Sequence, residues 1–253
     1  MPPVTSLPKA NLRVYLGSTA FFIYSMLSLL FVSPVIIAGV IFPFEYRYRL
    51  SRAWCHSVLM MEAWCCGIHY RIEGSENIPQ DRPVVVLSKH QSAWETLAFR
   101  YLLPTQTVLA KRSLLWIPLG GWAFAVLKPI TIDRSQQTQA LRALLEQGTQ
   151  ALAQGLWVVV FPEGTRTAVN QKTVFNAGGA MLACKAQVPI LPLAHNAGAV
   201  WPRYSFLKYP GIIQVKIGPV IETVGQKPKQ VNAQAEQWVA EAMKTMNQTD
   251  NLS

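Results

Sequence analysis

Charge is scarce in this chain. Only 14% of its 253 residues are Asp, Glu, Lys or Arg, against about 25% in ordinary soluble domains. Acidic groups are the scarcer kind, 13 against 23 basic ones. With 51% hydrophobic residues, this shortage excludes a disordered chain and argues against a plain cytosolic globule. Cysteine is sparse too: Cys55, Cys65, Cys66 and Cys184 show no CxxC or Cys/His ligand spacing, and an adjacent pair makes a poor disulfide framework. They read as buried, reduced thiols in a cytoplasm-facing compartment, and no metal site is indicated. The sequence also lacks internal repeats, low-complexity tracts, nucleotide motifs, and helix-turn-helix, RNP or zinc patterns. A nucleic-acid partner is therefore excluded despite a net charge of +10 and a pI near 9.6. The positive excess suits lipid head groups, phosphorylated substrates or an acidic carrier protein instead. A mean hydropathy of +0.20 is too low for a many-spanning transporter, and the length suits one α/β domain with a small appendage.

The appendage is amino-terminal. Residues 14–44 carry no charge over 31 positions, and a straight helix of that length would extend about 46 Å, beyond the ~30 Å hydrocarbon core. Pro34 interrupts the run and Pro43 closes it. Both flanks are basic, Lys9 and Arg13 before, Arg47, Arg49 and Arg52 after. That symmetry fits the asymmetric charge rule for a single span poorly. The expectation is two short helices that dip into the membrane and return near Ser33 and Pro34, with one tilted span as the alternative. A cleaved signal peptide is disfavoured by the length of the run and the lack of an A-x-A-like end. Residues 52–66 continue as a helix with Trp54, Val58, Met61 and Cys65 on one stripe.

After Tyr70 the pattern changes to short apolar runs alternating with amphipathic stretches, the rhythm of an α/β domain. This predicts a central mixed sheet flanked by helices over residues 67–253, following a membrane-associated helical segment over 1–66. Strands are expected at 84–87, 157–161, 190–193 and 213–217, and helices at 94–103, 136–153 and 174–186. A last helix is expected to be capped by Asn232.

Three blocks could carry chemistry. His90 follows a strand-like run in SKHQSAWETL, and Glu95 lies five positions on. Mid-helix the two would point about 140° apart. They meet if His90 is still in the turn and Glu95 in the first helical turn, where a carboxylate fixes the imidazole tautomer. Equally, Ser92 to Glu95 matches a capping box. The second block, FPEGTR at 161–166, follows a strand. Gly164 permits a tight turn, Glu163 could hold a hydroxyl or brace the loop, and Arg166 could bind phosphate as a fork. The third runs from Lys111 and Arg112 through fifteen uncharged residues to Asp133 and Arg134. It is too short to span a membrane as a helix, and suits an apolar groove, the bilayer surface or a buried strand–helix unit.

Together these blocks resemble the glycerolipid acyltransferase family, in particular its bacterial 1-acyl-sn-glycerol-3-phosphate branch. That family's signature is His-x4-Asp, then a Lys…Leu…Pro…Gly block ending in Asp-Arg, then Phe-Pro-Glu-Gly-Thr-Arg, then Val-Pro-Ile-x-Pro. Here the order is His90-x4-Glu95, Lys111/Leu114/Pro118/Gly120/Gly121 with Asp133-Arg134, 161–166, and 188–192. The departure is Glu at position 95, a carboxylate on an arm one methylene longer. The resemblance implies transfer of a fatty acyl group from a thioester to the sn-2 hydroxyl of lysophosphatidic acid, giving phosphatidic acid. His90 would be the base and Glu95 its orienting group. Lys111, Arg134 and Arg166 would hold phosphate, Glu163 and Gly164 would shape the acceptor site, and Thr165 would add a hydroxyl contact. It implies that no cofactor is needed, that acyl-carrier protein or acyl-CoA is the acyl donor, and that the bilayer is a partner. The place would be a bacterial inner membrane, with the catalytic domain facing the cytoplasm. Other acceptors (glycerol 3-phosphate, another lysophospholipid, an acylated amino-acid lipid) share the motifs. A non-catalytic membrane-binding protein is the rival of another class.

Overall fold

The computed structural model describes residues 9–133, 136–169, 171 and 174–249. The apolar run forms one helix, α1 (Leu12–Ala38), with Asn11 accepting from the Val14 N–H at its start and Pro34 inside it. The chain does not turn back at Ser33 and Pro34. It reverses later, through a 3-10 turn at Gly39–Ile41 and Pro43, into α2 (Phe44–Cys66). This corrects the expectation of a return at Pro34: one proline costs a helix one backbone bond, whereas the Gly39–Pro43 stretch supplies a true stop. The two helices run antiparallel. Trp54 Nε1 donates to Ser28 Oγ at 3.1 Å, Gly39 lies against Arg47, and Gly17 lets α1 come close to the Cys65 carbonyl. The most apolar 18-residue window within Leu12–Ile41 has a mean hydropathy of 2.2, and only 17% of it is covered by the rest of the fold. By length and composition this helix can cross a membrane.

The sheet has seven strands: β1 (Ile68–Glu73), β2 (Val85–Ser88), β3 (Gln106–Lys111), β4 (Ile130–Ile132), β5 (Trp157–Val160), β6 (Ile190–His195) and β7 (Gly211–Ile217). Their spatial order is β1-β7-β6-β2-β5-β3-β4. Every neighbouring pair is parallel except β6 with β7, so the sheet is mixed as expected. β2, β5 and β6 are buried along their whole length, which is why their sequences read as unbroken apolar runs. Alternate residues serve two cores. Val84, Val86 and Val159 pack under α2 and α3 (Trp94–Leu102) with Trp94 and Phe99. Val85, Leu87 and Val158 face α5 (Gln137–Ala153) and α6 (Gly178–Ala186). A short α4 (Gly120–Ala125) packs against α1, and α7 (Pro228–Thr249) closes the second face.

Two helix starts in the α/β domain differ by more than one residue from the sequence reading. α6 begins at Gly178 rather than 174, because Phe175 is drawn into the core beside α7. α7 begins at Pro228, a residue preadapted to the first helical position. Asn232 is therefore inside the helix, donating from Nδ2 to the Phe175 carbonyl at 3.0 Å.

Candidate active site

The carboxyl ends of β2, β3 and β5 share one edge, the usual place for a ligand in an open α/β sheet. His90 leaves β2 there, ahead of α3. Its Nδ1 lies 2.8 Å from Glu95 Oε1, and Glu95 is fully buried. The same carboxylate accepts the backbone N–H groups of Gln91 and Ser92, each at 2.8 Å. Bracing the approach to the helix and orienting the imidazole are thus one arrangement: Glu95, in the first turn of α3, reaches back to the N–H groups of Gln91 and Ser92 and still meets the ring, while the N-cap Ala93 has no side-chain cap bond. A carboxylate on Nδ1 fixes the tautomer with the proton there and leaves Nε2 as the basic nitrogen. Burial alone would push the Glu95 carboxyl up. The imidazoles of His195 and His90 and the N–H of Ser92 outweigh it and hold the carboxyl below its ordinary value.

The His90 loop is clamped by the turn after β5. That turn closes through Gly164 N to the Phe161 carbonyl at 3.0 Å, with Gly164 at φ +73°, a conformation that favours glycine. Glu163 points inward, its side chain only 1% exposed. It takes Lys89 Nζ at 2.8 Å, the His90 N–H at 2.6 Å and Thr167 Oγ1 at 3.3 Å. Thr167 N–H in turn donates to the His90 carbonyl at 2.8 Å. Both backbone ends of residue 90 are therefore tied to the 161–167 segment, and the His90 ring stacks on Phe161 at 4.2 Å. Of the two uses open to Glu163, bracing the loop is the one this geometry occupies.

His90 opens on a cavity of about 830 Å³ between α1, α2, α3, β3 and α4, within the range of small-molecule sites. Lys111, Thr165, Arg166 and Tyr204 line it together with His90. Its walls include Leu29, Val32, Ile36, Phe99, Leu114, Ile117 and Leu127, and Arg100 and Gln106 also line it, the Arg100 guanidinium donating to the Gln106 carbonyl at 3.1 Å. The block after Lys111 is thus a groove wall, while Trp116 and Trp122 on its outer side are 80% and 52% exposed. Arg134 lies outside the described residues. Among the described residues no group of three or more His, Cys, Asp or Glu side chains is placed to hold a metal.

Three residues that support the site were not singled out from sequence: Lys89, Thr167 and His195. His195 is fully buried at the end of β6, its Nε2–H donating to the Lys89 carbonyl at 2.9 Å and its Nδ1 accepting from Ala197 N at 3.3 Å. Burial holds its imidazole below the ordinary value. The available signal was its place, a histidine at the carboxyl end of a strand, the same as for His90.

The acyltransferase family profile matches residues 69–196, a span that includes the carboxylate-held histidine at this parallel-strand edge. The chain belongs to that family. It is 44% identical over 230 residues to the 1-acyl-sn-glycerol-3-phosphate acyltransferase of Pseudomonas aeruginosa, covering 89% of this chain and 86% of that one. The human 1-acyl-sn-glycerol-3-phosphate acyltransferase alpha is 34% identical over 172 residues, which cover 67% of this chain and 61% of its own. The fold matches the crystal structure of the 1-acyl-sn-glycerophosphate acyltransferase of Thermotoga maritima with a TM-score of 0.79. That match is 23% identical in sequence and covers 93% of this chain and 96% of the other.

Proposed function

We propose that this protein transfers a fatty acyl group from a thioester to the sn-2 hydroxyl of 1-acyl-sn-glycerol 3-phosphate, giving phosphatidic acid. The observation that carries the reading is the His90–Glu95 pair at 2.8 Å, facing a largely apolar cavity with Lys111 and Arg166 beside it. His90 Nε2 takes the hydroxyl proton, and the oxygen attacks the thioester carbonyl directly. The Glu95 carboxylate stabilises the imidazolium so formed. Collapse of the tetrahedral intermediate expels the thiolate, which recovers its proton from His90. No serine or cysteine acyl-enzyme enters this scheme, and the chemistry as written calls for no cofactor.

Arg166, with Lys111, holds the acceptor phosphate, and Thr165 adds a hydroxyl contact. Residues 1–66 serve as the membrane-associated segment and 67–253 as the catalytic domain, placed on the cytoplasmic side of the bacterial inner membrane. This reading is supported by the names of the relatives, the exposed apolar face of α1 and the net charge of +10. Acyl-carrier protein and acyl-CoA both meet the chemical requirement for a donor. The test offers the purified full chain lysophosphatidic acid and glycerol 3-phosphate as competing acceptors, each with both donors. Product from lysophosphatidic acid alone supports the reading; acylation of glycerol 3-phosphate in preference overturns the acceptor.

A further inference from the structure

A second, smaller cavity of about 190 Å³ lies beside the first. It is bounded by Phe21, Ser25 and Met26 of α1, Val58 of α2, and Trp201 with Lys208 of the loop before β7. Three further side chains, Leu29, Trp54 and Leu97, line both cavities, so a single layer of apolar groups separates them. Leu97 is one helical turn from Ala93, which lines the His90 cavity. The lining is almost wholly apolar. The Ser25 hydroxyl is turned to the Phe21 carbonyl at 2.7 Å, and the Lys208 ammonium is taken up by the Phe206 carbonyl at 2.8 Å and lies over the Trp201 ring. Outward, the cavity meets the face of α1 where Phe22 and Met26 are each 46% exposed.

The reaction proposed above brings two hydrocarbon chains together, one on the thioester and one already on the acceptor. Both cannot occupy the His90 cavity end to end, because their head groups must meet at one imidazole. We propose that the smaller cavity is a separate binding site for the acceptor's own hydrocarbon chain. The chain would run from the rim near Ala93 past Leu97 to Phe22 and Met26. With less than a quarter of the volume of the larger cavity, this site holds only the part of the chain nearest the head group. The remainder continues over the exposed face of α1, where the bilayer takes it up. The arrangement keeps the two chains apart on either side of Leu29, Trp54 and Leu97, and burial of each methylene in the small site favours an acceptor whose chain fills it over one whose chain is too short to enter it.

This inference rests on the proposed function, and the test separates the two. Michaelis constants are measured for 1-oleoyl and 1-acetyl lysophosphatidic acid, the acetyl chain being too short to enter the site, and for the acyl thioester donor, with wild type, Ser25→Trp and Met26→Trp. Met26 is exposed at the mouth of the site, so its variant reads out even if the Ser25 variant folds poorly. The expected result is a rise of about tenfold in the constant for the oleoyl acceptor, equivalent to ~1.4 kcal/mol. The acetyl and donor constants should stay within twofold. Equal rises for both acceptors, a rise for the donor alone, or no change in either variant would overturn the second site. Absence of transfer to either acceptor by wild type would instead remove the functional reading, and this inference with it.

Discussion

Replacing Glu95 by Gln isolates what its charge contributes. Glu95 Oε1 accepts from His90 Nδ1, Gln91 N and Ser92 N, and Oε2 accepts from Ser92 N at 3.0 Å. A glutamine amide placed with its oxygen at the Oε1 position keeps the first three bonds and so keeps the imidazole tautomer. Two things are lost. The amide nitrogen meets the Ser92 N–H as donor against donor, costing about 1–3 kcal/mol of stability; that is a fall of several degrees in melting temperature for a chain of this size. The negative charge beside the imidazolium is also lost. At roughly 4 Å and an effective dielectric of about 20 that charge is worth about 4 kcal/mol, an upper bound of about a thousandfold in rate. The prediction is a fall of roughly one hundred to one thousandfold in kcat/KM for Glu95→Gln, with the protein still folded. Glu95→Asp retains the charge but shortens the reach, and its activity should lie between wild type and Gln. The assay is release of free thiol from the donor with lysophosphatidic acid, paired with thermal unfolding of each variant. Wild-type turnover in Glu95→Gln would mean that the carboxylate only caps α3, and the proposed dyad would fall.

Other consequences can be measured on the same preparations. Glu163→Gln breaks the Lys89 pair while leaving that ammonium buried, which should cost about 3–5 kcal/mol; a melting temperature within 2 °C of wild type would contradict the clamp. Arg166→Ala should raise the Michaelis constant for lysophosphatidic acid about tenfold or more and leave that for the donor unchanged, and an unaltered acceptor constant would remove Arg166 from the phosphate site. Burial raises the Glu62 carboxyl to about 8, against an opposing pull from Lys208. A raised carboxyl is protonated in the fold where the unfolded chain is already ionised, so its stabilising effect is full below about 4.5 and is lost as pH rises toward 8. Glu62→Gln should therefore melt close to wild type at pH 4.5 and roughly 5 °C above it at pH 8; the same difference at both pH values would refute the burial argument.

Much of this architecture was legible where burial is two-sided. The runs that became β2, β5 and β6 are apolar at every position because helices cover both faces of the sheet. β1 carries little sequence signal because it is an edge strand, with His69, Arg71 and Glu73 alternating with covered residues. β3 opens on two polar residues, and β4 is three residues long. At Pro34 a proline's local cost is not a stop: α1 continues through it, and the reversal waits for Gly39 and Pro43. At the site, the five-residue spacing from His90 to Glu95 pointed to two roles that the fold merges in one carboxylate. Lys89, Thr167 and His195 were hidden for a different reason. They act through contacts to Glu163 and to the carbonyls of residues 89 and 90, across 74 to 106 positions of chain, which local spacing does not encode. In the 201–209 loop Trp201 packs edge-on against Phe21 of α1, a long-range contact that local spacing does not encode, while Tyr204 is left 78% exposed.

The central claim is that the imidazole of residue 90 removes the acceptor's proton. It is tested most directly by His90→Ala, assayed with lysophosphatidic acid vesicles and a labelled acyl thioester, alongside vesicle sedimentation and thermal unfolding. The account predicts no phosphatidic acid above the uncatalysed background, with vesicle binding retained and the protein folded. Phosphatidic acid formed at a rate near wild type would contradict it.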